Sequence, residues 1–78
     1  MRFTYDPRHN VAYIRFQEKG ADVEAIRVSD ELIVDIAPDG TIYGIELLNA
    51  NEQVQRDDAG GLIVINEATG QRSELPLR

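Results

Sequence analysis

Short runs in which apolar and polar residues alternate make up most of this chain, and clusters of Asp, Asn, Pro and Gly separate them. Alternation with a period of two is typical of strands that have one buried face. The runs that predict strands are residues 2–5, 11–17, 23–29, 32–37, 41–48, 62–66 and 72–77. The predicted fold class is therefore mainly β with minor α, an antiparallel β-meander of about five strands followed by one short helix and a C-terminal β-hairpin.

The best-defined unit is the hairpin over residues 32–48, which turns at Pro38-Asp39-Gly40. A two-residue turn at Asp39-Gly40 is favoured by the apolar pattern, because it collects six apolar residues on one face. That register pairs Ile36 with Tyr43, Val34 with Ile45, and Leu32 with Leu47. A three-residue Pro-Asp-Gly loop would shift the pairing by one residue and set Val34 against Gly44.

Residues 50–56 are the one segment whose pattern predicts a helix, and it begins after Asn49 or Asn51 as the N-cap. Val54 is its one large apolar side chain, so its anchoring is weak. A break follows at residues 57–61. We predict a single domain over residues 1–78, with a core at residues 5–50 and a C-terminal extension at residues 51–78.

The chain has 78 residues, of which 42% are hydrophobic, and it contains no cysteine and a single histidine. Disulfides, thiolate metal sites and Cys nucleophiles are therefore excluded, and zinc sites and Ser–His triads are disfavoured. A chain of this length builds a marginal core, which is commonly supported by a partner chain. We accordingly expect a homo-oligomer, most simply a homodimer.

The net charge of −6 is concentrated in residues 21–50, which hold seven acidic residues and one basic residue. An acidic surface disfavours nucleic acid as a ligand and favours either a small basic protein partner or simply solubility. No apolar run has the length of a signal peptide or a membrane span. We expect a cytoplasmic protein without a cofactor.

Residues 35–46 overlay the twelve-residue calcium-loop template, with Asp35 first, Asp39 fifth, Gly40 sixth and Glu46 twelfth. The third and fourth positions are Ala37 and Pro38, which supply no side-chain oxygen. The flanking segments also have the pattern of strands instead of helices. A β-hairpin accounts for the same residues without a metal, so calcium binding through Asp35, Asp39 and Glu46 is kept as an alternative.

Asp35 and Glu46 point to one face of the predicted hairpin, where a carboxylate pair could perform acid–base chemistry in a closed cleft. No second domain or long loop indicates such a cleft, so we expect no enzyme and no catalytic residues. The same face would carry apolar residues that must be covered, either by the C-terminal hairpin of the same chain or by a second chain. The predicted partner-binding residues are Asp35, Gly44, Glu46, Ile33, Ile42 and Leu48, with Gly44 allowing close approach of a neighbouring chain.

Tyr5-Asp6-Pro7, residues 12–16, residues 33–36, Asp39-Gly40 and the run at residues 44–50 together form a recognisable pattern. This pattern resembles the small bacterial domain-of-unknown-function family numbered 2283, over residues 5–50. The resemblance transfers no catalytic residue. It implies an antitoxin- or immunity-type partner role, because some members look like proteins encoded beside small, toxic, ribonuclease-like proteins. Residue 49 is Asn where Asp is common in that family, and residues 51–78 extend beyond the shared pattern.

Overall fold

Seven strands and one short helix form over the residues that the computed structural model describes, which are 1–18, 20, 22–56 and 60–77. The elements are β1 (Arg2–Asp6), β2 (Val11–Arg15), β3 (Glu24–Ser29), β4 (Leu32–Ile36), β5 (Ile42–Leu48), α1 (Ala50–Gln53), β6 (Gly61–Asn66) and β7 (Gln71–Pro76). The first five strands form one antiparallel sheet, and β6 and β7 form a separate two-stranded hairpin. The predicted fold class is confirmed.

The strand order in the sheet is β1-β2-β5-β4-β3, whereas a simple meander would keep the order of the sequence. β2 pairs with β5 and not with β3, so strands β2 to β5 form a Greek key. The physical reason is apolar content: β5 offers Ile45 and Leu47 to Ile14 and Ala12 of β2. All six residues of β3 are exposed, and this strand takes the edge of the sheet. The segment between the predicted strands at residues 11–17 and 23–29 contains Lys19 and Ala21, which lie outside the described residues.

The β4–β5 hairpin combines features of both predicted registers. Its loop has three residues, since the Ala37 amide donates to Thr41 O at 2.9 Å and the Gly40 amide donates to Ala37 O at 2.9 Å. The favoured two-residue turn was therefore wrong. A bulge at Tyr43 then corrects the register, because Ile36 pairs with Ile42 while the next pair is Asp35 with Gly44. The predicted pairs Val34–Ile45 and Leu32–Leu47 are confirmed, and the pair Ile36–Tyr43 is wrong.

Helix α1 is a single turn, shorter than the predicted helix over residues 50–56. Asn49, one of the two predicted N-caps, occupies that position with a left-handed backbone of φ 52° and makes no side-chain capping hydrogen bond. The side-chain amide of Gln53 anchors the turn by donating to Leu48 O at 2.6 Å and to Glu31 O at 3.1 Å. Ala50 is fully buried at its start. Residues 57–59 of the predicted break lie outside the described residues.

The interior of the described chain is very small. Its buried apolar residues are Ala12 and Ala50, and within the described ranges no large side chain is fully buried. Phe16 is 43% exposed, and the other four aromatic side chains are only half-buried. In the portion that the structure describes, no helix is long and apolar enough to cross a membrane.

The molecule exposes more surface than a chain of its mass normally does. Its accessible surface is 5780 Å², whereas a compact monomer of 8.8 kDa is expected to expose roughly 4,800 Å². The radius of gyration is 14.0 Å, against roughly 11.5 Å for a compact domain of this length. The extents of 36 × 33 × 18 Å describe a flat slab. A single sheet without a complete second layer accounts for all three values.

Candidate interaction surface

One face of the sheet carries an apolar row that crosses all five strands. The register places one apolar side chain from each strand in line. These residues, called the apolar row below, are Phe3, Ile14, Ile45, Val34 and Ile26. Neighbouring apolar side chains in one row of a sheet normally pack beneath a second layer of structure.

The apolar row is not buried within the chain. Phe3, Ile14, Val34 and Ile45 are half-buried, and Ile26 is 47% exposed at the edge. The next row is better covered, since Ala12 is 1% exposed and the α1 region closes over it. Isolated exposed apolar residues are ordinary, but a continuous apolar stripe marks a surface that another element covers.

The opposite face of the sheet is organised around Tyr13 and Asp35. Tyr13 starts on β2, leans across β5, and donates a hydrogen bond from its Oη to Asp35 Oδ2 on β4 at 2.6 Å. Asp35 is only 6% exposed. A buried carboxylate requires donors to offset its lost hydration, and the Tyr13 hydroxyl is one of them.

Gly44 makes this crossing possible because it stands between the two partners. A Cβ atom at position 44 would collide with the Tyr13 hydroxyl and lie 3.0 Å from Ile14 O. The backbone conformation at Gly44 needs no glycine, so the requirement here is space alone. The space above Gly44 is thus filled by Tyr13 of the same chain and not by a neighbouring chain.

The environment of Tyr13 favours its neutral form. Burial raises the pKa of Tyr13 to about 12, from an ordinary value of 10.0, and the hydrogen bond to Asp35 and the negative charge of Asp35 act in the same direction. The positive charge of Arg15 opposes this shift in pKa. The phenol therefore remains a hydrogen-bond donor throughout the neutral pH range.

The predicted partner-binding residues are divided by the structure. Asp35 and Gly44 are buried, and Glu46 and Ile33 are half-buried neighbours in register with each other. Leu48 is half-buried opposite Val11. Ile42 is 40% exposed. Because the bulge pairs it with Ile36, it does not lie on the same face of the sheet as Ile33 and Leu48. Partner binding by this set stays a prediction.

The calcium-loop template over residues 35–46 folds as the β4–β5 hairpin. Asp35 accepts a hydrogen bond from Tyr13, while Asp39 lies in the turn and accepts one from the Thr41 amide at 2.9 Å. Within the described ranges, no three His, Cys, Asp or Glu side chains come together in a way that could hold a metal ion. The geometry thus gives the calcium alternative no support.

The C-terminal hairpin meets the sheet along a shallow apolar groove of about 490 Å³. The sheet contributes Phe3, Tyr5 and Pro7, and the base of the hairpin contributes Leu62, Leu75, Pro76 and Leu77. Beyond this groove, Val64 is 53% exposed and Ile65 is 56% exposed. The base of the hairpin therefore shares this groove with β1, whereas the central part of the hairpin is exposed.

An acidic groove of about 340 Å³ lies at the end of the sheet where β4 turns into β5. Its walls include Asp22, Asp39 and Tyr43, and its described lining contains no basic residue. Hydrogen bonds from Thr41 hold the pKa of the Asp39 carboxyl below its usual value. The groove consequently presents negative charge to solvent at neutral pH.

Sequence reasoning missed the apolar row and the role of Tyr13. The row depends on the β2–β5 pairing, which a meander does not contain. Tyr13 had one usable signal, which is a glycine directly opposite an aspartate in a hairpin. In this chain the glycine leaves the space through which the Tyr13 side chain reaches the carboxylate.

Comparison with known proteins assigns a family to this chain. Residues 2–51 match the family described as protein of unknown function (DUF2283), which covers more than half of the chain and includes β1 to β5 with the first residues of α1. Neither the curated proteins nor the solved structures contain a match. The resemblance identified from the sequence pattern is confirmed, and the chain belongs to the DUF2283 family of proteins of unknown function.

Proposed function

We propose that this chain is a small, non-enzymatic interaction module that self-associates through the open apolar face of its sheet. The observation that carries the proposal is the apolar row, which crosses five strands without a covering layer. An antiparallel sheet with one apolar face becomes stable when that face packs against another element. A second copy is the partner that is always present.

The surface area supports a dimer of ordinary size. The accessible surface of 5780 Å² exceeds that of a compact monomer by roughly 1,000 Å². A standard protein–protein interface buries about 800 Å² on each partner. The excess surface of one chain is thus enough to form a specific interface, and self-association would bring the exposed area close to the usual value.

The face of the sheet that carries Tyr13 and Asp35 gives little support to an enzymatic role. Asp35, which is half of the predicted carboxylate pair, is buried and accepts the hydroxyl of Tyr13. A general acid or base needs access to the proton that it transfers. The Tyr13–Asp35 contact instead joins β2 to β4 and rigidifies the sheet that presents the apolar row.

The test is sedimentation equilibrium of the full chain at micromolar concentration, with Ile26→Asp as the disrupting variant. Ile26 is on the exposed edge of the row, so the monomer should tolerate Asp while the interface should not. Burying a residue of this size contributes about 1.5–3 kcal/mol. Since about 1.4 kcal/mol corresponds to a factor of ten, the dimer dissociation constant should rise by about tenfold or more.

Thr4→Asp is the matched control, because it adds the same charge at an exposed strand position on the opposite face. It should leave the dimer unchanged, and circular dichroism should show that both variants keep the sheet. A wild-type mass equal to one chain at micromolar concentration would refute self-association. Equal weakening by both variants would instead place the interface elsewhere.

A second candidate function is binding of a small basic protein, of the kind that an antitoxin neutralises. The acidic groove lined by Asp22 and Asp39 favours it, because opposite charge accelerates association with a basic partner. A tagged pull-down from the native host at low salt tests this candidate. Recovery of a small basic protein that is lost as salt rises would support it, and recovery of this chain alone would count against it.

A further inference from the structure

We infer that the C-terminal hairpin formed by β6 and β7 packs on the apolar row of a second copy, with the second copy's hairpin reciprocating. This inference rests on the proposed self-association and specifies which surfaces meet. The hairpin lies outside the residues that match the family, which end at residue 51. The contact would therefore involve a segment of this chain that is not part of the sheet matched by the family.

The two faces of the hairpin differ in charge. One face pairs Ile63 with Glu74 and Ile65 with Arg72, and Arg72 contacts Glu74 at 3.2 Å. The other face carries no charged side chain. It consists of Leu62, Val64, Asn66, Gln71, Ser73 and Leu75 and is called the uncharged face below. A two-stranded hairpin has little stability of its own, so this face requires a partner surface.

The uncharged face is largely exposed within its own chain. Val64 is 53% exposed and Leu75 is 54% exposed. The hairpin base lines the same groove as Phe3 and Tyr5 of β1, and the rest of the apolar row lies outside the lining of that groove. One chain thus presents two uncharged surfaces that meet at the groove lined by Phe3, Leu62 and Leu75, whereas Val64 and the part of the apolar row from Ile14 to Ile26 do not line that groove.

Charge limits how two copies can meet. Each copy has a net charge of −6, so contact through charged surfaces would place like charges together. The apolar row and the uncharged face of the hairpin both lack charged side chains, so contact between them brings no like charges together. Two reciprocal contacts related by a two-fold axis give a closed dimer and leave no copy of either surface unused.

The experiment uses a spin label on one chain and methyl labels on another. The chain contains no cysteine, so Glu67→Cys, in the exposed turn of the hairpin, provides a single attachment point. The spin-labelled chain, whose methyl groups carry no ¹³C, is mixed with a second full-length chain that carries ¹³C-methyl isoleucine. Any loss of methyl signal, relative to a diamagnetic analogue of the label, then reports contact between different copies.

The expected result is a loss of signal from Ile14, Ile26 and Ile45, which belong to the apolar row. Ile33 is the internal control, because its side chain lies on the opposite face of the same sheet. Its methyl signal should therefore decrease less than those of Ile14, Ile26 and Ile45. A second spin label, placed through Thr4→Cys on that opposite face, points away from the partner in the proposed dimer and should cause little loss of signal at any isoleucine of the other copy.

Three results would overturn the inference while leaving self-association intact, provided that sedimentation shows a dimer. Signal loss limited to Ile63 and Ile65 would mean that hairpins contact hairpins. Greater loss at Ile33 would place the hairpin on the other face, and no loss at any isoleucine would mean that the sheets meet without the hairpins. A monomer in sedimentation would instead overturn the proposed function itself.

Discussion

Tyr13 shows how a single side chain holds this thin sheet together across three strands. Its hydroxyl lies 2.6 Å from Asp35 Oδ2, and the route between them is open because residue 44 is glycine. A carboxylate that is 6% exposed loses most of its hydration, so a donor held in place by the fold has a large effect. The contact should therefore stabilise the sheet more than an ordinary surface hydrogen bond does.

We predict that Tyr13→Phe lowers the free energy of unfolding by about 1.5–3 kcal/mol at neutral pH, the range for hydrogen bonds to charged groups. Phe retains the ring and removes only the hydroxyl, so the change isolates the bond to Asp35. Urea unfolding at a fixed chain concentration measures the effect, since dimer stability depends on concentration. Tyr5→Phe, which removes the bond to Asn51 instead, is the comparison variant, and equal stability of wild type and Tyr13→Phe would contradict the prediction.

The same contact should disappear at alkaline pH. The pKa of Tyr13 is raised from 10.0 to about 12 in the folded chain, so folding favours the protonated phenol. Its contribution is fully present below pH 10 and is lost as the pH rises towards 12. The stability difference between wild type and Tyr13→Phe should therefore shrink between pH 10 and pH 12, and the subtraction removes groups common to both. A constant difference over this range would show that Tyr13 is not linked to the titration.

At the scale of elements, the sequence pattern predicted the positions of the strands and the helix, which depend on residues that are close together in the sequence. All seven strands and the short helix lie close to their predicted positions, because alternation and turn residues are local signals. The order β1-β2-β5-β4-β3 was not predictable in the same way, since it depends on which distant strands match in apolar content. The apolar row follows from that order, so the candidate surface could not be found from local patterns.

The β4–β5 hairpin shows a compromise between turn chemistry and register. Pro38-Asp39-Gly40 forms a three-residue loop, which alone would misalign the apolar residues of the two strands. The bulge at Tyr43 restores the pairing of Val34 with Ile45. Alternation predicted the pairs Val34–Ile45 and Leu32–Leu47 correctly although the predicted turn was wrong, because the apolar residues determine the pairing and the bulge absorbs the extra residue.

We predict that Gly40→Ala destabilises the hairpin by about 1–2 kcal/mol, the cost of a left-handed conformation for a residue with a Cβ atom. Gly40 has φ of 90°, and no atom lies close enough to obstruct a side chain, so the penalty is conformational and not steric. Gly40→Asn should cost less, because Asn adopts positive φ more readily. Urea unfolding of both variants checks this order, and equal losses for Ala and Asn would point to a steric origin.

At the scale of the whole molecule, shape and charge have opposing effects on association. The slab is 18 Å thick, which leaves an apolar face that favours a second copy. The net charge of −6 opposes the approach of that copy. Because the apolar row and the uncharged face of the hairpin carry no charge, the repulsion comes from the surrounding surface and acts over distances that salt can screen.

We therefore predict that self-association becomes tighter as salt is added. Raising sodium chloride from about 0.02 M to about 0.5 M shortens the screening length from roughly 20 Å to a few ångströms. The dimer dissociation constant should fall by about tenfold over this range as the repulsion between two negative chains is screened. Sedimentation equilibrium across a salt series measures the dissociation constant. Repetition near pH 4.5, the sequence pI, is the control, because the net charge and the salt effect should both vanish there.

A complex with a basic protein should respond to salt in the opposite direction and weaken as salt is added. Weakening of the homodimer by salt would show that opposite charges form its interface, which would exclude the apolar row as the main contact.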